Sequence, residues 1–313
     1  MKNQKSKHDK IIIGTRASPL ALKQAKLVSS QLIMNNKINK EDIIIKIINT
    51  SGDFIDKNSL NKFDGKGLFT KEIDRALVNG EIDIAAHSVK DIESDLIEGI
   101  QISGVLVRDD PRDALVSLGK VESIEDLKIN ALVGTSSPRR AAIVKSMRPD
   151  IIIKNFRGNF DTRIKKLEDN EVDATFLAMA GINRLNFNKN YISPISINKM
   201  IPAAGQGIIG ITTRINDDRI NKIVDRINDE ITFLLAKAER CAVSVFGGSC
   251  MQPIGINAII EDENLINIRA MIASEDGSNV FNINKKDSIQ NYEELSYDIG
   301  RSLLDYYNKH LIK

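Results

Sequence analysis

Short apolar runs alternate with amphipathic segments over the first two-thirds of the chain. The apolar runs predict strands at Ile11–Ile13, Ile43–Ile48 and Ile82–Ala86. The segments between them carry apolar residues at helical spacing and predict helices over Leu20–Ile33 and Thr70–Val78. Because strands alternate with helices, we expect an α/β fold with a parallel sheet beneath crossover helices.

The same arrangement returns in the middle of the chain and indicates a second α/β domain. Its predicted elements are strand Ala131–Val133, helix Arg139–Met147, strand Ile151–Lys154, helix Thr162–Leu167 and strand Ala174–Leu177. Both halves share a signature in which an apolar run is followed by Gly-Thr, a short loop and then Ser-Pro, at residues 14–19 and again at 134–138. Serine is a favoured helix N-cap and proline is favoured at the first helical position.

A different pattern begins near residue 225. A long predicted helix, Ile231–Val243, precedes three alternating runs and a C-terminal helix over Tyr292–Tyr307, which is typical of a small α+β domain with an antiparallel sheet. The three runs are Ile254–Ile260, Leu265–Ile272 and Val280–Ile283. Residues 201–224 suggest a hinge and a strand that returns to the first domain. We therefore predict three domains, at residues 1–107 with 201–224, at 108–200 and at 225–313.

Composition and charge narrow the function classes. The 313 residues include 44 Lys and Arg against 42 Asp and Glu, so no global field directs the chain to nucleic acid or a membrane. Two cysteines exclude a disulfide framework, and the absence of Trp argues against base-stacking platforms. No apolar run approaches the roughly 18 residues of a membrane span, and the first ten residues are polar. We expect a cytoplasmic protein without a nucleic-acid or membrane partner.

The two matching strand-to-helix turns are candidate anion sites. Helix N-termini present free N–H groups and partial positive charge, and both turns also carry hydroxyls and arginines. The residues concerned are Arg16, Ser18, Thr135, Ser137, Arg139 and Arg140. Ordinary capping with solvated arginines would explain one such turn equally well, but two matching turns favour an anion site.

Further cations fall at predicted loops or helix starts, where an open α/β sheet binds its ligand. They are Lys66, Lys90, Arg157, Arg163 and Arg184. Guanidinium groups bind carboxylates and phosphates in a bidentate manner, so a convergent set indicates a polyanionic ligand. The alternative is a solvated surface.

Two other residues carry candidate chemistry. Asp91 directly follows Lys90 and could stabilise a developing cation, although spacing alone favours a salt bridge. Cys250 lies in the glycine-containing segment 246–253, where nearby cations would favour its thiolate, whereas Cys241 lies in a predicted helix and suits packing. With three His and no Cys/His cluster, we predict no metal site.

Eight ordered blocks together resemble the porphobilinogen deaminase family, from about Ile12 to Gly255. They are IGTRASPLAL (13–22), DGKGLFTKE (64–72), DIAAHSVKD (83–91), DDPRDAL (109–115), VGTSSPRR (133–140), RGNFDTR (157–163), PAAGQG (202–207) and GGSCMQPIG (247–255). No single block is specific, but the ordered set is. The last sixty residues carry no such motif.

The resemblance implies a fold, a reaction and a cofactor. The fold is three domains, two of them α/β domains like those of periplasmic binding proteins and one a small C-terminal α+β domain. The activity is that of a transferase, hydroxymethylbilane synthase, in heme and tetrapyrrole biosynthesis. It condenses four porphobilinogen molecules head to tail, with loss of ammonia, into linear hydroxymethylbilane. The primer is a dipyrromethane held covalently by a thioether to a cysteine, and we expect a monomer.

The resemblance also implies roles for individual residues that lie in the matching blocks. Asp91 is implied as the catalytic carboxylate and Cys250 as the cofactor's attachment point. The other implied cofactor-binding residues are Lys90, Asp53, Thr135, Ser137, Arg139 and Arg140. The implied substrate-binding residues are Arg16, Ser18, Lys66, Phe69, Arg157, Arg163 and Arg184.

The chain departs from the family pattern at several positions, and two alternatives stay open. Ser51, Asp64, Glu93 and Asp161 stand where other residue types are common in the family, and Ser249 and Met251 alter the cysteine segment. One alternative is a non-catalytic anion-binding protein on the same two-domain plan. The other is a family member that assembles the cofactor without turning over.

Overall fold

The computed structural model describes residues 10–51, 70–119, 121–247 and 252–312. Contacts divide the chain into two compact units. Unit 1 comprises Met1–Arg108 and Ile208–Phe233, and unit 2 comprises Asp109–Gly207 and Leu234–Lys313. Within the described ranges, no helix combines the length and apolar character needed to span a membrane.

The elements follow in chain order. The strands are β1 (Ile11–Thr15), β2 (Ile43–Ile47), β3 (Ile84–Ser88), β4 (Ile100–Val105), β5 (Asp113–Val116), β6 (Leu132–Gly134), β7 (Ile152–Lys154), β8 (Ala174–Ala178), β9 (Ile192–Pro194), β10 (Ile209–Arg214), β11 (Ile254–Asp262), β12 (Leu265–Ala273) and β13 (Val280–Ser288). The α-helices are α1 (Pro19–Asn36), α2 (Lys71–Val78), α3 (Pro138–Met147), α4 (Phe160–Glu168), α5 (Met179–Arg184), α6 (Asp218–Asp225), α7 (Glu230–Ser244) and α8 (Tyr292–His310). Short 3-10 turns occupy Lys40–Asp42, Val89–Asp91 and Ile289–Asn291.

Unit 1 contains a five-stranded sheet in the order β2-β1-β3-β10-β4. Strand β1 runs parallel to β2 and β3, as predicted, but β10 is antiparallel to both β3 and β4. The expectation of a wholly parallel sheet is therefore wrong for this side of the sheet. The reason is topological, because β10 follows the segment that returns from unit 2 and pairs in the opposite direction.

Unit 2 repeats this plan strand for strand. Its sheet has the order β7-β6-β8-β5-β9, with β6 parallel to β7 and β8, and β5 antiparallel to β8 and β9. One hydrogen bond also recurs in both units. The Asp83 carboxylate accepts a hydrogen bond from the Ile12 amide (2.9 Å) in unit 1, and the Asp173 carboxylate accepts one from the Leu132 amide (2.8 Å) in unit 2. In each sheet the antiparallel fourth strand directly follows a crossing between the units, at 108–109 for β5 and at 207–208 for β10.

The C-terminal part is a three-stranded antiparallel sheet, β11-β12-β13, as the alternating runs predicted. Helices α7 and α8 cover one face and form an apolar core that includes Ile256, Ile268 and Leu303. Residues Met271 and Ala273 of β12 belong instead to the core of the second α/β sheet. This shared core is why the C-terminal sheet forms part of unit 2.

Close packing explains the glycine at the end of β6. A Cβ built on Gly134 would lie 2.6 Å from Cγ of Phe156, whose ring is buried. The ring sits in a core of interdigitated side chains, so it has little room to move.

We expect Gly134→Ala to destabilise unit 2 by about 1–3 kcal/mol, because it overpacks this core. Urea unfolding would measure the change, with Gly119→Ala as the matched control. A Cβ on Gly119 meets its nearest atoms only at 3.7 Å, so the control should stay within about 0.5 kcal/mol of wild type. Equal midpoints for the two variants would contradict the packing argument.

Candidate active site

A pocket in unit 1 lies at the carboxyl ends of β1 and β3. These strands are parallel neighbours, so the residues that follow them meet at one edge of the sheet. The lining residues are Arg16, Ser18, Leu20, Ala21, Gln24, Thr70, Ala86, His87, Ser88 and Asp91. Three predicted site residues, Arg16, Ser18 and Asp91, thus meet in one pocket.

Local geometry explains how the first turn is built. The Ser18 hydroxyl accepts a hydrogen bond from the Ala21 amide (3.3 Å) and caps α1, with Pro19 at the first helical position. Thr15 donates to the Ala21 carbonyl (3.1 Å) and ties the strand end to the helix. Asp91 is exposed and follows half-buried Lys90 in the 3-10 turn Val89–Asp91.

Gln24 and Ser88 also line the pocket, and neither was predicted as a site residue from the sequence. Gln24 is buried and its amide donates to the Ser88 hydroxyl (2.8 Å). A usable signal existed, because Gln24 is a polar residue within the buried stripe that Ala25 and Val28 form on α1.

His87 is a buried imidazole in this pocket. It is 6% exposed, and burial, aided by the positive charge of Arg16, lowers its pKa to about 4. Its Nε2 atom has no hydrogen-bond partner among the described residues. The ring is therefore neutral near pH 7.

Asp74 lies on α2, one turn from the pocket residue Thr70. Burial raises the pKa of this carboxyl to about 6, a hydrogen bond from the Thr70 side chain opposes the rise, and the charge of Glu93 adds to it. Glu93 is one of the departures from the family pattern, so the departure acts on a neighbouring carboxyl.

These two groups give opposite pH dependences. The pKa of His87 is lower in the folded chain than in the unfolded one, so its contribution to stability is lost as the pH falls from about 6.5 to about 4. The pKa of the Asp74 carboxyl is raised in the folded chain, so this group adds to the stability of the fold as the pH falls from about 6 to 3.8. We expect them to offset each other in the wild type.

We expect single variants to unmask each contribution. Relative to wild type, His87→Asn should gain stability as the pH falls from 6.5 to 4, by up to about 3 kcal/mol, whereas Asp74→Asn should lose stability over the same range. Urea midpoints at three pH values would measure both. Parallel pH curves for the wild type and both variants would show that neither group is perturbed.

The second turn, in unit 2, is capped in the same way as the first. The Ser137 hydroxyl accepts a hydrogen bond from the Arg140 amide (3.4 Å), and that of Thr135 accepts one from the Ser137 amide (3.1 Å). Pro138 again occupies the first helical position, now of α3.

The arginines of this second turn are not solvated. Arg139 and Arg140 are 4% and 6% exposed, and both pair with Asp113, which is fully buried. One Asp113 oxygen lies 2.8 Å from Nη2 of Arg139 and the other lies 2.6 Å from Nη2 of Arg140. Asp113 was not predicted as a site residue, although it falls within the block at 109–115, because no local sequence pattern links it to α3.

Opposing effects set the electrostatics of this cluster. Burial raises the pKa of Asp113, but the charges of Arg139 and Arg140 outweigh it and hold that pKa well below its usual range. Burial lowers the pKa of Arg139, and the charge of Asp113 opposes this. The cluster is thus a buried carboxylate between two guanidinium groups.

The other predicted cations of unit 2 are Arg184, which is buried, and Arg157 and Arg163, which lie in and near α4. Arg184 is buried at the end of α5, where Nη2 donates to the Gly207 carbonyl (2.5 Å) and Nε lies 3.6 Å from the Asp109 carboxylate. Burial lowers the pKa of Arg184, opposed by Asp109. Arg163 lies on α4 and donates to the Gly158 carbonyl (2.9 Å), and Arg157 is exposed.

Several predicted residues lie outside the described ranges. They are Asp53, Lys66, Phe69 and Cys250, with the departures Asp64, Ser249 and Met251. Within the ranges that are described, no group of three His, Cys, Asp or Glu side chains could hold a metal ion. Cys241 is a free thiol whose pKa is raised by burial.

The fold and the two turns define a class of protein, the mixed α/β proteins with two five-stranded sheets of matching strand order and a small three-stranded antiparallel sheet. Among solved structures, the periplasmic VFT2 domain of Bordetella pertussis BvgS is similar at 13% identity and a TM-score of 0.43, covering 70% of this chain and 87% of that one.

Family models cover nearly all of the chain. Residues 11–222 match "Porphobilinogen deaminase, dipyromethane cofactor binding domain", and residues 233–305 match "Porphobilinogen deaminase, C-terminal domain". The porphobilinogen deaminase of Sulfurimonas denitrificans is 39% identical over 97% of this chain and 96% of its own length. The porphobilinogen deaminase of Syntrophomonas wolfei is 41% identical over 93% of this chain and 94% of its own length. The chloroplastic porphobilinogen deaminase of Pisum sativum is 41% identical over 96% of this chain and 83% of its own length. The chain belongs to the porphobilinogen deaminase family.

Proposed function

We propose that this chain condenses four porphobilinogen molecules head to tail into hydroxymethylbilane, using a dipyrromethane primer bound through Cys250. Its activity is that of a transferase in tetrapyrrole biosynthesis, and its family model is a cofactor-binding domain for dipyrromethane. The observation that carries the site assignment is the meeting of Arg16, Ser18 and Asp91 in one pocket of unit 1. The non-catalytic alternative is not favoured, because both family models match in order.

Asp91 is the proposed catalytic carboxylate. Loss of ammonia from porphobilinogen leaves a cation, and an exposed carboxylate at the end of β3 can stabilise that charge and accept the pyrrole N–H. Arg16 would hold a substrate carboxylate in the same pocket, and positioning by the pocket makes each coupling effectively unimolecular. Neutral His87 and the Gln24–Ser88 pair add hydrogen-bonding groups without adding charge.

The donor set of unit 2 suits an anionic cofactor. Arg139 and Arg140 carry two positive charges against the single charge of Asp113, so the cluster retains an excess positive charge for a ligand carboxylate. Thr135 and Ser137 would add hydroxyls, and Lys90 and Asp53 complete the proposed cofactor set. When bound, the dipyrromethane supplies the pyrrole terminus to which the first substrate is joined.

The remaining proposed substrate contacts share one reason, which is that every added pyrrole unit brings two more carboxylates. They are Lys66, Phe69, Arg157, Arg163 and Arg184, with Phe69 proposed to stack on a ring. As finer proposals, the chain acts as a monomer in the cytoplasm and binds no nucleic acid. The net charge of +2 supports the absence of nucleic-acid binding, and the need for a reduced cysteine supports the cytoplasm.

We expect the intact denatured mass to exceed that of the polypeptide by two pyrrole units, and Cys250→Ser to lose this excess. Cys241→Ser is the matched control and should keep it, because that thiol packs in α7. A bare polypeptide mass for the wild type, unchanged after incubation with porphobilinogen, would contradict the proposal.

We expect Asp91→Asn to keep the fold and at least part of the cofactor mass but to lose nearly all turnover, because the carboxylate that stabilises the cation is gone. Product formation from porphobilinogen measures turnover. Asp95→Asn, an exposed carboxyl four residues further along, is the control and should stay near wild type. Wild-type turnover in Asp91→Asn would remove its catalytic assignment.

We expect the arginines of the two turns to divide between assembly and elongation. Arg139→Gln or Arg140→Gln should lower the cofactor-bearing fraction, whereas Arg16→Gln should keep the cofactor and lose about 10- to 100-fold in kcat/KM, as removal of a charge-assisted hydrogen bond predicts. Mass spectrometry and steady-state kinetics separate these effects. Equal cofactor loading in all three variants would contradict the division.

A further inference from the structure

The buried cluster of unit 2 is held by four separate chain segments. Besides the two arginines, the Gln206 amide donates to Asp113 (3.0 Å) and to the Pro111 carbonyl (2.7 Å). Each guanidinium group also donates a hydrogen bond to a backbone carbonyl. Nη1 of Arg139 donates to the Ile201 carbonyl (2.8 Å), and Nη1 of Arg140 donates to the Phe176 carbonyl (3.0 Å). Both guanidinium groups therefore have fixed orientations.

Charge balance in this cluster depends on Asp113. Two buried cations face one buried anion, which leaves one positive charge to be balanced. Without Asp113 the excess would be two charges in a site from which water is excluded, and unpaired buried charges are strongly destabilising. The described Asp109 and Asp110 carboxylates do not relieve it, because their ion pairs are with Arg184 and Arg112.

We propose that Asp113 is a resident counterion, a positioning residue that keeps Arg139 and Arg140 buried and oriented before the cofactor's carboxylates arrive. The inference rests on the proposed function, because it takes these arginines as receivers of cofactor carboxylates. An arriving carboxylate balances the remaining charge. Asp113 is therefore needed most in the cofactor-free chain.

The first test is charge rescue in the cofactor-free chain, made in the Cys250→Ser background with the absence of cofactor checked by mass. Asp113→Asn should lower the Tm strongly. Adding Arg139→Gln restores the original excess of one charge, so the double variant should melt at least about 5 °C above Asp113→Asn alone. A Tm for the double variant at or below that of Asp113→Asn overturns the proposal, including the case in which neither folds.

The second test compares chains with and without cofactor. With Cys250 intact, Asp113→Asn should take up cofactor more slowly from porphobilinogen, yet its Tm should rise more on uptake than that of Asp113-containing protein. A purely structural role would lower the Tm equally in both forms. The control is Asp150→Asn, which breaks an outlying bidentate pair with Arg148 (2.7 Å) and should change neither uptake nor the Tm gain.

Failure of the role proposed for Asp113 is distinguishable from failure of the proposed function. An equal Tm loss with and without cofactor overturns the role of Asp113, while the mass excess at Cys250 leaves the proposed function standing. Absence of that mass excess in wild-type protein after incubation with porphobilinogen overturns the proposed function itself.

Discussion

The second turn depends on one interaction, the buried pairing of Asp113 with Arg139 and Arg140. It lets two guanidinium groups stay in a dry interior at the N-terminus of a helix, where their charge would otherwise be costly. The sheet topology makes the pairing possible, because β5 enters unit 2 directly after a crossing and places Asp113 at its first residue. The chain crossing thus places the Asp113 carboxylate beside the two arginines of the second turn.

The two equivalent sheets use their matching positions differently. Asp113 pairs with Ala178 at the end of β8, and its counterpart in unit 1 is Ile209, which pairs with Ser88 at the end of β3. Unit 1 therefore has an isoleucine where unit 2 has this carboxylate, and it exposes Asp91 beyond the strand end. One copy of the repeat buries its carboxylate to hold arginines, and the other exposes a carboxylate to its pocket.

His87 is a second position at which the two equivalent sheets carry different side chains. It pairs with Gly210, and the equivalent residue in unit 2 is Leu177, a core side chain that pairs with Ala114. An imidazole at a core position must be neutral, which accounts for its lowered pKa. A residue that would be apolar packing in one unit becomes a neutral polar group in the pocket of the other.

By itself the sequence determined the local elements and the shared signature. Apolar periodicity and Ser-Pro capping act between residues a few positions apart, so β1, α1, β6 and α3 could be predicted without tertiary contacts. Strands β4, β5 and β9 were missed, and the strands with which they pair are remote in sequence. Only the tertiary structure placed Asp113 between Arg139 and Arg140 and brought Gln24 to Ser88, because sheet register and chain crossings join residues that no local pattern connects.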